Sequence, residues 1–250
     1  MFYRILLLPI LLNFVFSELF FSEYAEGSSN NKYLEIYNAS GDDVDLSGYS
    51  LSSCSNGCDD GMSWDYPDNI TFAAGTVLTE EDVYVVCHGS ADEVILAECD
   101  QTFTYLSNGD DVFALTQIGS GTVLDIIGVV GDDPGSGWDA AGVSTATKDH
   151  TLVRKSSVSS GNALWLDNVD ADTGEVIASG SAGHNADDSE WVVLDQNTWD
   201  YLGSHPHEFS APDPCVTISD LSVAGDQLTV AMTNSGFADG DHYHAYVDGS

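Results

Sequence analysis

The sequence of 250 residues predicts an all-β protein folded as an antiparallel sandwich. Short apolar or alternating segments recur along it with Gly, Pro, Asn and Asp between them, which is typical of strands joined by turns. No segment longer than about ten residues combines helical periodicity with capping residues. The clearest unit is residues 105–138, in which the alternating segment 112–117 predicts a half-buried strand and the apolar segment 123–130 a deeply buried one. We expect this hairpin at the centre of the domain.

The amino terminus carries the pattern of an export signal. Arg4 precedes an apolar run of about a dozen residues, which is too short to span a bilayer core of about 30 Å. Val15, Phe16 and Ser17 follow as a compact cleavage site. Residues 1–17 are therefore predicted to be a secretory signal peptide, with an uncleaved anchor as the alternative. No other segment approaches membrane-spanning length, so we expect a mature chain that is secreted or held at the cell surface.

Further strands are predicted on both sides of the hairpin. In residues 33–37, Leu34 and Ile36 share one face, and the polar and aromatic residues share the other. The remaining predicted strands cover residues 19–23, 44–46, 49–51, 70–73, 83–87, 151–155, 165–166 and 191–194.

The chain is expected to hold one complete domain. A sandwich is predicted over residues 18–209 and a Pro-rich linker over 210–215. Three more alternating segments lie in 216–250, which are too few to close a second sandwich. We therefore expect the start of a second β domain there, truncated from a longer protein.

The charge balance is strongly acidic. Asp and Glu total 41 against 5 Lys and Arg, and the formal net charge is −36. This charge repels nucleic-acid backbones and anionic membranes, so direct nucleic-acid binding is not expected. We predict no cofactor, with Ca²⁺ as the alternative, because paired aspartates fall in predicted turns but none has the spacing of a calcium-binding loop. These pairs are Asp42–Asp43, Asp59–Asp60, Asp110–Asp111, Asp132–Asp133 and Asp187–Asp188.

Five cysteines in an exported chain favour disulfides over a thiol site. Cys54 and Cys58 flank a short Ser-Asn-Gly loop. Cys87 and Cys99 bracket a strand end and the connection that follows it. We predict these two local bridges, which leaves Cys215 to pair beyond residue 250. Zinc is the alternative for the first pair, although its spacing is not that of a zinc knuckle.

Several short segments follow one another in an order that a known family shares: residues 24–28 (YAEGS), 32–38 (KYLEIYN), 44–49 (VDLSGY), 106–111 (LSNGDD), 148–155 (KDHTLVRK), 191–192 (WV) and 197–203. Together they resemble the lamin tail domain over residues 18–209. The resemblance implies an immunoglobulin-like β-sandwich, usually an accessory module in secreted bacterial proteins and sometimes found beside nucleases or other hydrolases. It supplies no catalytic residues, and the two cysteine pairs are not part of the family's pattern.

The residues themselves give no sign of catalysis. The sequence has no Gly-rich phosphate loop, GxSxG elbow or HExxH helix, and we predict no catalytic, cofactor-binding or metal-ligating residue. Lys148, Arg154 and Lys155 form a basic cluster on an acidic chain and are candidate binding residues for an anion. For Arg154, the many acidic residues of the chain favour an internal salt bridge over an anion site.

Loop aromatics are the other candidate contacts for a partner. Trp64, Tyr66 and Trp138 lie in predicted loops, and exposed loop rings commonly bind partners. Burial in the core is the alternative, since it is the commoner fate of a Trp.

Two His-x-His pairs have the spacing of metal ligands on a strand, because residues i and i+2 share a face. The first, His205 and His207, is interrupted by Pro206 and is expected to be an exposed joint. The second, His242 and His244, lies in an alternating run, where metal binding and ordinary exposed strand positions are both open.

Two functions follow from these observations. The first is a non-catalytic recognition or spacer module of a secreted protein that contacts a protein or surface partner. The alternative is an accessory domain of a longer secreted hydrolase, such as a nuclease or phosphoesterase, with its catalytic domain beyond residue 250. The sequence identifies no small-molecule ligand.

Overall fold

The computed structural model describes residues 18–58, 61–131, 133–209, 217–224 and 227–233. The predicted signal peptide, the linker, Cys215 and the pair His242/His244 lie outside these residues, as do Asp59, Asp60 and Asp132. The chain divides into two compact units, Met1–Glu208 and Phe209–Ser250. Each unit is described by itself.

Unit 1 contains fourteen described strands, one short α-helix and one 3-10 turn. The helix α1 covers Glu93–Ala97 and the 3-10 turn covers Leu46–Gly48. The strands are β1 (Leu19–Glu26), β2 (Lys32–Asn38), β3 (Val44–Asp45), β4 (Tyr49–Cys54), β5 (Tyr66–Thr71), β6 (Val77–Leu78), β7 (Val83–Cys87), β8 (Gln101–Thr102), β9 (Val112–Gln117), β10 (Thr122–Ile127), β11 (His150–Arg154), β12 (Asn168–Val169), β13 (Val176–Ala178) and β14 (Trp191–Asp195).

Two sheets make the sandwich. The larger has six strands in the order β14-β11-β1-β2-β7-β8, and the smaller has four in the order β10-β9-β4-β5. Neighbouring strands are antiparallel except for β7 and β8. The predicted all-β antiparallel sandwich is therefore confirmed. In unit 2, the strands β15 (Thr217–Ala224) and β16 (Gln227–Thr233) form an antiparallel hairpin.

The main core lies between the two sheets. Leu34 and Ile36 of β2 point into it, as their alternation predicts, and Leu115 of β9 meets them from the smaller sheet. Trp165 is also in this core, but residues 165–166 do not form the strand that was predicted there. Trp138 is only 4% exposed, because Gly128 has no side chain and leaves room for the indole, so the expectation of an exposed ring is wrong.

The burial expected for the predicted hairpin is reversed. β9 lies between β4 and β10, and all of it except Gln117 is buried, whereas β10 is an edge strand with an exposed or half-buried first half. The alternating polar residue Thr116 is buried because hydroxyl groups meet it across the sheet: its Oγ1 lies 2.8 Å from Ser50 Oγ and 2.9 Å from Ser52 Oγ. The hairpin therefore forms the edge of the smaller sheet and not the centre of the domain.

The outer face of the larger sheet is covered by residues 197–205, which we call the C-terminal strap. Its contacts follow the outward residues of β2 in order. Trp199 packs edge-on against Tyr33 (ring centroids 5.8 Å apart), the Gly203 N–H donates to Glu35 Oε2 (2.7 Å), and His205 packs against Tyr37 (4.8 Å). His205 is thus buried, and its expected place in an exposed joint is wrong.

Both predicted disulfides are confirmed. Cys54 bonds to Cys58 at the end of β4, and Cys87 bonds to Cys99, which closes the segment containing α1 against β7. Within the part of the chain that the structure describes, no group of three or more His, Cys, Asp or Glu side chains is placed to hold a metal ion. No helix in those same residues is both long and apolar enough to cross a membrane.

Candidate functional site

One end of the sandwich gathers loops from both sheets. β4 and β7 end there, and β2 and β9 begin there, as the pairs Tyr33–Cys87 and Cys54–Val112 show. The antiparallel registers therefore bring four distant segments together, which are the turn at 27–31, the disulfide loop at 55–58 and the connections at 88–90 and 104–111.

A groove runs between these loops as two adjoining cavities of about 280 and 330 Å³, which share Ser55, Tyr105 and Asp111. Tyr105 stands at their junction, and its side chain is 80% exposed, with Phe103 packed against its ring at 6.0 Å. Tyr66 lines the first cavity and is 51% exposed. The groove therefore presents two tyrosine rings to solvent.

Polar side chains make up most of the remaining wall. Besides the shared residues, the two cavities are lined by Ser29, Asn30, Lys32, Ser53, Cys54, Asn56, Asn69, His88, Thr104, Leu106, Asn108 and Phe113. Tyrosine with Ser and Asn is the composition that antibody loops use, because the ring gives rigid amphipathic contact area and the small polar groups adapt their hydrogen bonds.

Lys32 lines the second cavity, and its ammonium group connects three neighbouring segments. Its ammonium group lies 3.0 Å from Glu26 Oε1 and donates to the Ser107 carbonyl (2.8 Å) and to Asn108 Oδ1 (2.7 Å). Since an ammonium group has three donors, these contacts use all of them. Lys32 is buried, and its role is to join β2 to the loop before β9.

Asp111 lines both cavities, and its carboxylate connects two of the loops. Its carboxylate accepts hydrogen bonds from the backbone N–H of Asn56 (3.0 Å) and of Asn108 (3.2 Å). Burial raises the pKa of Asp111, and the two backbone donors oppose that rise. Asp111 thereby links the disulfide loop to the segment that carries Tyr105, so the groove is held in shape before any ligand binds.

Most of the six contact residues predicted from the sequence do not lie at the groove. Tyr66 begins β5 and does not lie in a loop, although its predicted exposure is confirmed. Trp64 is half-buried and packs on the core. Lys148 is exposed, Lys155 donates to the Ala186 carbonyl (2.6 Å), and Arg154 is fully buried. Of the six candidates, only Tyr66 lines the groove.

Arg154 forms the internal salt bridge that the acidic composition favours. The guanidinium donates to both oxygens of Asp125 (3.3 and 3.1 Å) and to Glu190 Oε2 (2.7 Å), and it stacks over Trp191 at 4.3 Å. The Phe21 N–H also donates to Asp125 (2.8 Å), at a bulge in β1. Burial raises the pKa of Asp125, and the guanidinium and backbone donors oppose the rise. Arg154 joins the two sheets and does not reach solvent.

A second buried group lies beneath the strap. Glu23 and Glu35 stand opposite each other on β1 and β2, and both are fully buried. Tyr33 donates to Glu23 (2.6 Å) and Ser22 donates to Glu35 (2.6 Å). Burial raises the pKa of Glu23 to about 9, with the neighbouring Glu35 adding to the rise, and burial raises the pKa of Glu35 to about 7. The raised pKa values favour the protonated form of both carboxyl groups near neutral pH.

Tyr105 and Asp111 are among the groove residues that the sequence does not single out as contact residues. Asp111 stands out there only as part of an acidic pair, and Tyr105 only as the first residue of the hairpin unit. The available signal is weak: an aromatic residue in the polar stretch before the Asn108-Gly109 turn. Outside the groove, the hairpin β12–β13 exposes apolar residues, of which Ile177 is 63% exposed.

Comparisons with known proteins bear on the same region. Residues 15–131 match the family model described as Lamin Tail Domain. A search of curated proteins finds no match. Among solved structures, a DUF4876 family protein from Bacteroides thetaiotaomicron VPI-5482 is similar, with 12% sequence identity, a TM-score of 0.43 and coverage of 76% of this chain and 74% of that chain. The family match spans β1 to β10 and therefore every residue that lines the groove.

Proposed function

We propose, from the premise that residues 15–131 of this chain are a lamin tail domain, that the protein is a non-catalytic recognition module of a secreted protein and binds a surface partner through the groove at Tyr105. The observation that carries the proposal is an exposed tyrosine at the junction of two cavities whose walls are already tied together. Rigid walls lower the entropy cost of binding, because fewer side chains become ordered when the partner arrives.

Secretion is part of the proposal. Two disulfides in one small β domain suit an oxidising compartment, where such bonds persist. The predicted signal peptide at residues 1–17 points the same way. The rival role, an accessory domain beside a hydrolase downstream, stays a prediction.

The test uses the full chain carrying a fluorescent label, incubated with cells of the organism that produces it and read by flow cytometry. Tyr105→Ala removes the exposed ring, and Ile177→Ala removes another exposed apolar side chain, which does not line the groove. We expect saturable binding of the native chain and the Ile177 variant, and a loss of about tenfold in affinity for the Tyr105 variant. Equal binding by all three proteins would show that the groove is not the recognition surface.

A further inference from the structure

The geometry points to a neutral oligosaccharide as the ligand of the groove, an inference that rests on the proposed function and specifies its partner. The two tyrosine rings would stack on the C–H faces of pyranose rings, and the amide and hydroxyl groups around them would pair with sugar hydroxyls. Three features support this ligand class, which are the rings, the neutral polar wall and the charge of the chain.

The rings come first. Tyr105 is exposed at the junction of the cavities, and Tyr66 is exposed on the wall of the first, so both present amphipathic aromatic surface to one groove. A pyranose ring has an apolar C–H face and a polar rim, which matches an aromatic ring bordered by hydrogen-bonding groups. The cavities of about 280 and 330 Å³ lie just below and at the lower end of the range for small-molecule sites, about 300–1,000 Å³, and their continuity suits a short chain of sugars.

The polar wall is suited to hydroxyl groups. Asn30 and Asn56 line the second cavity and Asn69 lines the first. An amide side chain offers both donors and an acceptor, and each sugar hydroxyl likewise donates and accepts. The hydroxyl groups of Ser29, Ser53 and Ser55 have the same dual character. This wall can therefore pair with hydroxyl groups of several orientations.

Formal charges in the groove are already engaged. Among the described lining residues these are Lys32, whose three donors meet Glu26, Ser107 and Asn108, and Asp111, which accepts two backbone N–H groups. An anionic ligand would find no lysine or arginine without a partner on this described wall, and the net charge of −36 would repel it during approach. An uncharged ligand incurs neither penalty.

The experiment measures binding of the full chain to neutral oligosaccharides of glucose, xylose, mannose and galactose by a glycan array followed by calorimetry. Polygalacturonate oligomers serve as the acidic probe and hexalysine as the cationic one. We expect at least one neutral series to bind, with an affinity that is unchanged between low and high salt because no charge is neutralised. Binding of the acidic or cationic probe alone, or of none of the probes, would overturn the assignment.

Variants locate the site. Tyr105→Ala should weaken binding of the neutral sugar about tenfold, whereas Tyr105→Phe keeps the ring and should stay within about threefold of the native chain. The matched control is Ile177→Ala, which should bind as the native chain does. Sugar binding that survives Tyr105→Ala unchanged would overturn the placement in this groove.

The inference and the proposed function fail in different ways. If cell binding is lost in Tyr105→Ala but no neutral sugar binds, the groove recognises a partner of another class and only the present inference falls. If the Tyr105 variant binds cells as the native chain does, the proposed function falls as well. The melting temperature of the variant checks its folding, and no change is expected, because an exposed side chain contributes little to stability.

Discussion

Arg154 and Glu35 are both buried in the six-stranded sheet, but the charged groups that surround them differ. Arg154 meets two carboxylates and an indole ring, so its own charge is compensated inside the protein. Glu35 meets Glu23, with Glu98 and Asp100 adding further negative charge nearby, and no cation is among its partners in the part of the chain that the structure describes. Burial raises the pKa of the carboxyl group in both places, but an opposite charge, the guanidinium of Arg154, opposes that rise only at Asp125.

The difference follows from what each group joins. Arg154 and Asp125 lie on different sheets, so their attraction helps to hold the sandwich closed. Glu23 and Glu35 lie on neighbouring strands and face the strap, whose Gly203 N–H reaches Glu35. The Arg154–Asp125 ion pair therefore stabilises the packing of the two sheets. The Glu23/Glu35 pair should make the packing of the strap on the larger sheet depend on pH.

The largest effect is expected from breaking the compensated group. Arg154→Met retains much of the side-chain volume but leaves Asp125 buried without its cation, and we expect a loss of about 3–5 kcal/mol in the free energy of unfolding, measured by urea titration. Lys148→Met removes an exposed charge and is the control, with an expected change within about 0.5 kcal/mol. The double variant Arg154→Met/Asp125→Leu should recover part of the loss. A cost for Arg154→Met no larger than that of the control would contradict the comparison.

A pH series probes the uncompensated pair. At pH 6.5, the unfolded chain has released the protons of Glu23 and Glu35, whose ordinary pKa is 4.5, while the folded chain still holds most of them because their pKa values are about 9 and about 7. Folding therefore takes up protons, and stability falls as pH rises. Between pH 6.5 and 9, we expect a decrease of at least about 1.4 kcal/mol in the free energy of unfolding.

The variant for this series is Glu23→Gln/Glu35→Gln, which retains acceptors for Tyr33, Ser22 and the Gly203 N–H. Its stability should be nearly constant over the same range. The series begins at pH 6.5 because burial lowers the pKa of His205 to about 4, and its protonation would destabilise the folded chain at lower pH. The idea fails if the double variant and the native chain lose stability in parallel.

A smaller effect is expected from loosening the strap. Trp199→Ala removes the ring that packs on Tyr33 and admits water to the carboxyl pair, so we expect a loss of about 1–2 kcal/mol at pH 6.5. The pKa values of Glu23 and Glu35 should then move toward their ordinary value, and the decrease of stability with pH should become shallower. An unchanged pH dependence in this variant would mean that the strap does not cause the burial of the pair.

Local patterns in the sequence are enough for much of the fold. The strand Val83–Cys87 is predicted with the bounds that the structure has, because a short apolar, β-branched run between turn residues is typical of a buried strand. The alternation in β2 correctly places Leu34 and Ile36 in the core. The two disulfides follow from cysteines close together in an exported chain.

Features made by distant segments are not predictable in this way. Alternation shows that the two faces of β2 differ, but it does not show that the strap will cover the face with Glu35. Asp125 is hidden in an apolar run, and its partner Arg154 lies 29 residues away on another sheet. The groove unites Ser29, Ser55 and Tyr105, whose polar loops carry no local signal of the shared cavity.

The strap also determines how unit 1 would respond to mechanical load. It is the last stretch of unit 1 before the chain continues into unit 2, and its anchor points on β2 follow in series from Trp199 through Gly203 to His205. A pull on the chain beyond residue 208 reaches His205 first and Trp199 last, so we expect the anchors to break in that order. Water would then reach Glu35, and the pKa of this carboxyl group would fall toward its ordinary value.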